Sequence, residues 1–275
     1  MTGRTGILGA LSIIVFWMSC NVVMEDRREC PCNLSVQMKG LPASPALLYV
    51  NGSVAGKAYG DTTLTVWVEG GGTASVTVVA GAVPSSDRVV WIPYGEASTP
   101  LYVFGAEVDC TGESAFVQAR LQKQFCTLNL YFKGLTEGDV TEGAQPSVAK
   151  MIADAPCGFA PSVNNSQPFS VSIRGSVNGY SLVEGKPLPG AFRCCVEGTS
   201  VRLPRQNPGD PLWLDLVMQD SVLRSFPLGT YLEEAGYDWT ALDLPDRDLE
   251  IDISVSSIRF QTGTWSTVRE LNWVI

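Results

Sequence analysis

Cysteine is the residue type in this sequence that most clearly could take part in chemistry. The chain has 275 residues and eight cysteines, at positions 20, 30, 32, 110, 126, 157, 194 and 195. Cys20 follows an apolar run over residues 7–18 that is preceded by a single charged residue, Arg4. Such a run is typical of the core of a signal peptide, and it is shorter than the ~20 residues that span a bilayer. The pair Ser19 and Cys20 at its end predicts the processing site of a bacterial lipoprotein.

Lipidation would make Cys20 the first residue of the mature chain. Its thiol would carry a thioether-linked diacylglycerol, and its amino group would carry a third acyl chain. Two or three acyl chains hold a protein durably at a membrane, because each buried CH₂ contributes about 0.8 kcal/mol. The sequence therefore predicts a signal peptide over residues 1–19 and a lipidated tether over residues 20–32. The alternative is an ordinary secretory signal cut near Ser19, which leaves Cys20 as one more thiol.

The remaining cysteines do not have the spacing of a metal or redox motif. Cys30 and Cys32 are separated by one residue and Cys194 and Cys195 by none, whereas zinc and thioredoxin-like pairs have two intervening residues. Disulfides are permitted in an exported protein, but the sequence does not determine their connectivity. Buried free thiols that pack as small hydrophobes are the alternative. No metal site is predicted.

Composition and charge exclude several function classes. The sequence has no histidine, which removes Ser-His-Asp and Cys-His nucleophile arrangements and every His-ligated metal site. The net charge of −9 and the pI of about 4.6 argue against a nucleic-acid partner. We therefore predict a protein that is not an enzyme, has no cofactor and binds no nucleic acid.

Acidic residues are concentrated near the C-terminus. From Asp220 to Asp252 the chain has nine acidic and two basic residues, a local charge of −7. Asp248, Glu250 and Asp252 alternate with apolar residues, which predicts the solvated face of an amphipathic strand. A calcium site would need six or more converging oxygens, and a glycosidase pair would need two placed carboxylates. Neither alternative has a motif here that singles out a residue.

Tryptophan is the second residue type that could bind a ligand. Six tryptophans could form a sugar-binding shelf, but aromatic residues in β-sandwich strands usually belong to the core. Core positions are therefore the prediction. The six are Trp67, Trp91, Trp213, Trp239, Trp265 and Trp273.

The elements that must position these residues are strands. The chain is 45% hydrophobic and 17% charged, with 27 Gly and 17 Pro, which favours many short strands. Apolar residues alternate in several runs, beginning with Leu34, Val36 and Met38. These patterns predict an all-β protein with one sandwich over residues 33–115 and a second over residues 116–275. The one predicted helix covers residues 228–235, with Gly236 as its C-terminal stop.

Two stretches of the sequence resemble one known family. The first is EDRRECPCNLSV, residues 25–36, which stands a few residues after Cys20. The second is FPLGTYLEEAGYDW, residues 226–239, which runs into the alternating strand LEIDISVSSIRF. In these stretches the chain resembles the FimB-type fimbrial anchor and minor-subunit lipoproteins of the Bacteroidales.

The resemblance implies both a fold and a function. The fold is two tandem transthyretin-like antiparallel β-sandwich domains after a lipoprotein signal peptide. The function is attachment of a fimbrium to the outer membrane, at the base of a surface polymer whose length the protein limits. The implied partners are the outer membrane, through the lipid, and the major fimbrial subunit, through strand pairing of the β-augmentation type.

The C-terminus is the candidate for a donated strand. Leu271, Trp273 and Ile275 alternate up to the last residue, with no polar tail after them. The alternative is a last strand that pairs within its own sheet. Two further functions stay open: a surface glycan-binding lipoprotein, and an accessory or tip adhesin subunit of a fimbrium.

Overall fold

A computed structural model describes residues 30–43, 45–69, 72–133, 159–160, 169–196, 200–218, 221–252, 259–262 and 269–270. These residues form nineteen strands and one short helix, so the predicted all-β class is confirmed. The helix is α1 (Leu228–Glu234). The strands are β1 (Cys32–Met38), β2 (Ala46–Val50), β3 (Ser53–Ala58), β4 (Thr62–Val68), β5 (Thr73–Ala80), β6 (Val89–Trp91), β7 (Tyr102–Asp109), β8 (Ser114–Ala119), β9 (Gln122–Lys123), β10 (Phe125–Lys133), β11 (Phe159–Ala160), β12 (Phe169–Ser181), β13 (Lys186–Cys195), β14 (Ser200–Pro204), β15 (Leu212–Met218), β16 (Ser221–Phe226), β17 (Arg247–Asp252), β18 (Arg259–Thr262) and β19 (Arg269–Glu270).

Two sheets enclose the first core. One has the order β4-β1-β8 and the other the order β3-β2-β5-β7-β9. In β1 the alternation predicted from the sequence is observed, because Leu34, Val36 and Met38 are fully buried. The first core consists of these residues and the apolar side chains of the facing strands, among them Leu48, Val76 and Val78.

A second pair of sheets encloses the second core. One has the order β14-β10-β17-β18-β19; the other has the order β11-β12-β15-β16, with β13 also paired to β12. The second core includes Leu128, Ile173, Leu214, Phe226 and Trp239. Two strand pairs in the described residues are parallel, β1–β8 and β10–β17, which alternation of apolar residues does not reveal.

The helix α1 lies against the second core through Leu228 and Leu232. It ends where the sequence predicts. Gly236 has a φ of +79°, and its N–H donates to the Glu233 carbonyl at 2.9 Å, while the Tyr237 N–H donates to the Leu232 carbonyl at 2.8 Å. These two bonds are those of a Schellman motif, which requires a left-handed residue at this position.

A short strand joins the two parts of the chain. β6 pairs with β12, with Trp91 opposite Gly179 and Val89 opposite Ser181. Beside it lies a third cluster, the junction core: Tyr49, Val79, Val90, Leu101, Val103, Tyr180 and Leu182. The predicted boundary between residues 115 and 116 falls inside β8, because β8 stays paired with β1 up to Ala119. The division into two domains stays a prediction.

Candidate functional site

The predicted site residues lie outside the described part of the chain. These are the lipid-attachment residue Cys20 and the possible donor strand Leu271, Trp273 and Ile275. The described residues begin at Cys30, which is exposed, and Cys32 is fully buried at the start of β1. The tether therefore passes from solvent into the first core within two residues.

The outer surface of the β4-β1-β8 sheet carries two exposed aromatic side chains. Trp67 on β4 is 65% exposed and Phe116 on β8 is 63% exposed. Between them lies β1, whose Asn33 stands opposite Trp67 and whose Ser35 stands opposite Phe116. We call Trp67, Phe116, Asn33, Ser35 and Thr65 the aromatic face.

Strand phase places these side chains outside. In β4 the residues on either side of Trp67 point to the core, so Trp67 must point to solvent. The hydroxyls of Ser35 and Thr65 lie 3.4 Å apart, and the Asn33 Oδ1 is buried without a hydrogen-bond partner in the described structure. An aromatic surface with hydroxyl groups between its rings can stack on a flat ligand and exchange hydrogen bonds with it.

The tryptophans do not all have the predicted position. Trp239 is 2% exposed and belongs to the second core, as predicted. Trp67 and Trp91 are exposed, so the core interpretation is wrong for them. Trp265 and Trp273 lie outside the described residues.

A groove of about 280 Å³ lies beside Trp213, the remaining described tryptophan. The Arg174 guanidinium lies 5.1 Å from the Trp213 ring centroid and donates through Nε to the Asp215 Oδ2 at 2.8 Å. The Ser225 hydroxyl donates to the other oxygen of Asp215 at 2.6 Å. Asp215 is fully buried, and its ion pair with Arg174 holds the guanidinium against the Trp213 ring.

The acidic segment has a structural role in the part that the structure describes. Asp246 accepts hydrogen bonds from the Thr127 N–H at 2.6 Å and from the Lys123 Nζ at 2.5 Å. Asp248 is exposed, as predicted, and accepts from the Asn129 amide at 2.7 Å. The side chains of Glu250 and Asp252 lie outside the described set. Within that set, no three acidic, cysteine or histidine side chains are placed to hold a metal ion.

Most described cysteines are buried free thiols. Cys32, Cys110, Cys126 and Cys194 are buried and unlinked, while Cys195 is disulfide-bonded. Burial raises the pKa of Cys126 and of Cys194 to about 12, because a thiolate is poorly solvated in an apolar core. These two thiols are therefore unreactive near neutral pH.

Several strands have one edge with no partner strand among the described residues. Among the described residues, β16 pairs only with β15, β4 only with β1, and β3 only with β2. An unpaired edge presents backbone N–H and C=O groups to a strand from another molecule. The sequence pattern predicts strands but not which of them are edges.

Comparison with known proteins identifies the fold. No family model and no curated protein matches the chain. Solved structures do match. A candidate adhesin from Bacteroides ovatus has a TM-score of 0.55 at 14% identity, over 88% of this chain and 95% of that one. The fimbrial anchor protein from Porphyromonas gingivalis has a TM-score of 0.54 at 9% identity, over 88% and 99%.

A third structure with the same fold is that of candidate polysaccharide-binding proteins from Bacteroides thetaiotaomicron. It has a TM-score of 0.57 at 12% identity, over 88% of this chain and 98% of that one. The chain therefore has the all-β fold found in these Bacteroidales proteins. No helix in the described residues is long and apolar enough to cross a membrane.

Proposed function

We propose that this protein is a lipid-anchored minor fimbrial subunit that attaches a fimbrium to the outer membrane and limits its length. The supporting observation is the shared fold, along nearly the whole of both chains, with a protein described as a fimbrial anchor. The second support is independent of the fold: Cys20 stands at the end of a signal-peptide core, where a lipoprotein is processed.

The placement of β1 suits an anchor under load. A pull on a lipidated Cys20 reaches the fold at Cys32, the first residue of β1. β1 lies in the middle of its sheet and pairs with β4 over seven residues and with β8 over six. A pull along β1 therefore loads two ladders of hydrogen bonds together.

Cys20→Ala tests the anchor. In cells that express this variant in place of the wild-type protein, we expect fimbriae in the culture medium, because lipid attachment is lost. Cys30→Ala is the matched control, since Cys30 is exposed and lies ten residues further along the same tether. Fimbriae that stay cell-bound with Cys20→Ala would refute the anchoring role.

Contact with the neighbouring subunit is proposed to use strand pairing. The alternating residues Leu271, Trp273 and Ile275 supply a candidate donor strand, and the edges of β16, β4 and β3 that have no partner within the described part of the chain are candidate acceptors. Deletion of residues 271–275 should abolish co-purification with the major subunit while the protein remains in the membrane fraction. Unchanged co-purification would show that residues 271–275 are not the donated strand.

Glycan binding is the second candidate function, and the aromatic face favours it. The exposed Trp67 and Phe116 stand across β1 from each other, and the hydroxyls of Ser35 and Thr65 lie on the same face. In affinity electrophoresis through host or microbial polysaccharide, wild-type protein would be retarded and Trp67→Ala would not. Trp91→Ala, which removes an exposed tryptophan from another sheet, is the control. Equal mobility in gels with and without polysaccharide would exclude this function and leave the structural role of an anchor or of an accessory or tip subunit.

A further inference from the structure

Two buried free cysteines meet at one end of the first core. Cys32 is the first residue of β1 and Cys110 follows the last residue of β7. Their side chains are 0% and 1% exposed, and both belong to the first core. They come from the two different sheets that enclose that core.

Backbone hydrogen bonds fix the two cysteines relative to each other. Cys32 stands opposite Val68 at the end of β4, and the Cys110 N–H donates to the Gly72 carbonyl at 2.7 Å. Val68 and Gly72 bracket the same β4–β5 turn. From the other side, the Asn33 N–H donates to the carbonyl of Glu113, which lies in the turn between β7 and β8, at 2.9 Å.

The side chains interact as well as the backbones. Burial raises the pKa of Cys110 to about 11, and the neighbouring Cys32 side chain adds to that rise. Two buried cysteines that interact across the same end of one core are candidates for a disulfide, which joins segments that lie close together.

We propose that Cys32 and Cys110 form a disulfide in the exported protein, linking the start of β1 to the end of β7. One thiolate attacks the disulfide of a thiol–disulfide oxidoreductase to give a mixed disulfide, and the second thiolate then displaces the oxidoreductase as a thiol. The two cysteines lose two protons and two electrons, and the oxidoreductase disulfide is reduced to a dithiol. The linkage forms before the sandwich closes, since both sulfurs are inaccessible in the folded protein.

The other free cysteines of the described residues lack such a partner. Cys126 and Cys194 lie in the second core, where Cys126 contacts the Tyr237 hydroxyl and Cys194 contacts the Ile173 backbone. Cys30 is exposed and outside both cores. Among the five free thiols of the described residues, Cys32 and Cys110 are therefore the one pair whose side chains interact.

The consequence for the molecule is a covalent bond at the point where the tether enters. A pull on the tether would reach the β4-β1-β8 sheet and, through Cys110, the opposite sheet. The inference uses one part of the proposed function, export to an oxidising compartment, and is independent of anchoring and of strand pairing.

Peptide mapping tests the linkage directly. The full-length protein is purified from the cell envelope with N-ethylmaleimide present, digested without reduction and analysed by mass spectrometry. We expect a linked peptide pair that contains Cys32 and Cys110, with Cys126 and Cys194 recovered as free thiols. Recovery of Cys32 and Cys110 as alkylated thiols would overturn the proposal. If the protein is not exported, the same peptide mapping is done on full-length protein refolded in a glutathione redox buffer. The same linked pair is expected there.

Thermal unfolding of three variants gives a second readout. If the disulfide exists, Cys32→Ala, Cys110→Ala and the double variant should lower Tm by the same amount, on the order of 10 °C, because each removes the one bond. Cys126→Ala is the control. Because Cys126 lies in the other core, the decreases in Tm of Cys126→Ala and Cys32→Ala should add when the two substitutions are combined. Additive losses for Cys32→Ala and Cys110→Ala would show two separate packing contacts and overturn the proposal. A linked peptide pair with fimbriae that stay cell-bound in Cys20→Ala would refute the anchor and leave the disulfide standing.

Discussion

Arg205 shows how one side chain can hold a segment without regular structure. Its guanidinium donates to the Gln124 side chain at 2.7 Å, to the Leu242 carbonyl at 3.1 Å and to the Trp239 carbonyl. The chain between α1 and β17 is thereby attached to the start of β10. Burial lowers the pKa of Arg205, and the nearby carboxylates of Asp238 and Asp243 oppose that shift.

Substitution of Arg205 by lysine should be destabilising. An ammonium group cannot reproduce the planar set of donors, and it leaves buried carbonyls without partners. We expect a loss of about 2 kcal/mol in the free energy of unfolding, measured by urea denaturation. Arg202→Lys is the control, because Arg202 donates one such bond, to the Ser98 carbonyl at 2.9 Å, and should cost under about 1 kcal/mol. Equal losses in the free energy of unfolding for the two variants would show that Arg205 does not hold this segment through its several hydrogen bonds.

Asp246 predicts a pH dependence of stability. Partial burial raises the pKa of Asp246, but hydrogen bonds from Lys123 and Thr127 lower it by more, so the net pKa is below 3.8. A lowered carboxyl pKa adds stability above the unfolded-state pKa, and this stability is lost as pH falls through the folded-state pKa. Asp246→Asn should therefore be less stable than wild type at pH 7, and the difference should shrink as the pH falls below 3.8 and through the folded-state pKa of Asp246.

The size of this effect is limited by solvent. The Asp246 side chain is 50% exposed, so screening keeps the contribution of the ion pair under about 1 kcal/mol. Lys123→Met removes the same ion pair from the other side and should lose its effect over the same acid range. A difference between Asp246→Asn and wild type that persists undiminished at pH 2.5 would contradict the assignment.

At the scale of elements, strand phase was predictable and strand partners were not. Alternation identifies the buried residues of β1, and the apolar Tyr231 and Leu232 followed by Gly236 predict the helix and its stop. Alternation does not predict the parallel β1–β8 pair or the β6–β12 pair, because a period of two assigns faces and not neighbours. Exposed Trp67 had a signal in the sequence: it stands out of phase with Val66 and Val68. The general preference of tryptophan for cores outweighed that phase in the prediction.

Gly236 carries a prediction about the end of α1. An alanine at this position would have to adopt a φ of +79°, which costs an L-residue about 1 kcal/mol. We expect Gly236→Ala to lower the free energy of unfolding by that amount in chemical denaturation. Gly60→Ala is the matched control, since a Cβ at Gly60 meets nothing within 4 Å and its φ is not in the left-handed region. A Gly236→Ala protein as stable as Gly60→Ala would show that the motif does not constrain the helix end.

At the scale of the whole molecule, the two large cores are held together by a small one. The first core lies between the sheets that contain β1 and β5, and the second between the sheets that contain β10 and β12. The junction core has seven buried residues, and the β6–β12 ladder beside it has three residue pairs. The stability of this region therefore determines whether the two large cores unfold together.

Gly179→Ala tests that cooperativity. A Cβ at Gly179 would lie 2.9 Å from Cε3 of Trp91, so the indole ring must move and the β6–β12 pair must loosen. We expect a loss of about 1–2 kcal/mol and a denaturation curve that separates into two transitions, followed by tryptophan fluorescence and circular dichroism. In a Trp91→Ala background the added methyl has room on the ring side, so the same substitution should cost less there. Equal costs in both backgrounds, with a single transition retained, would mean that the two large cores are coupled through contacts other than β6 and β12.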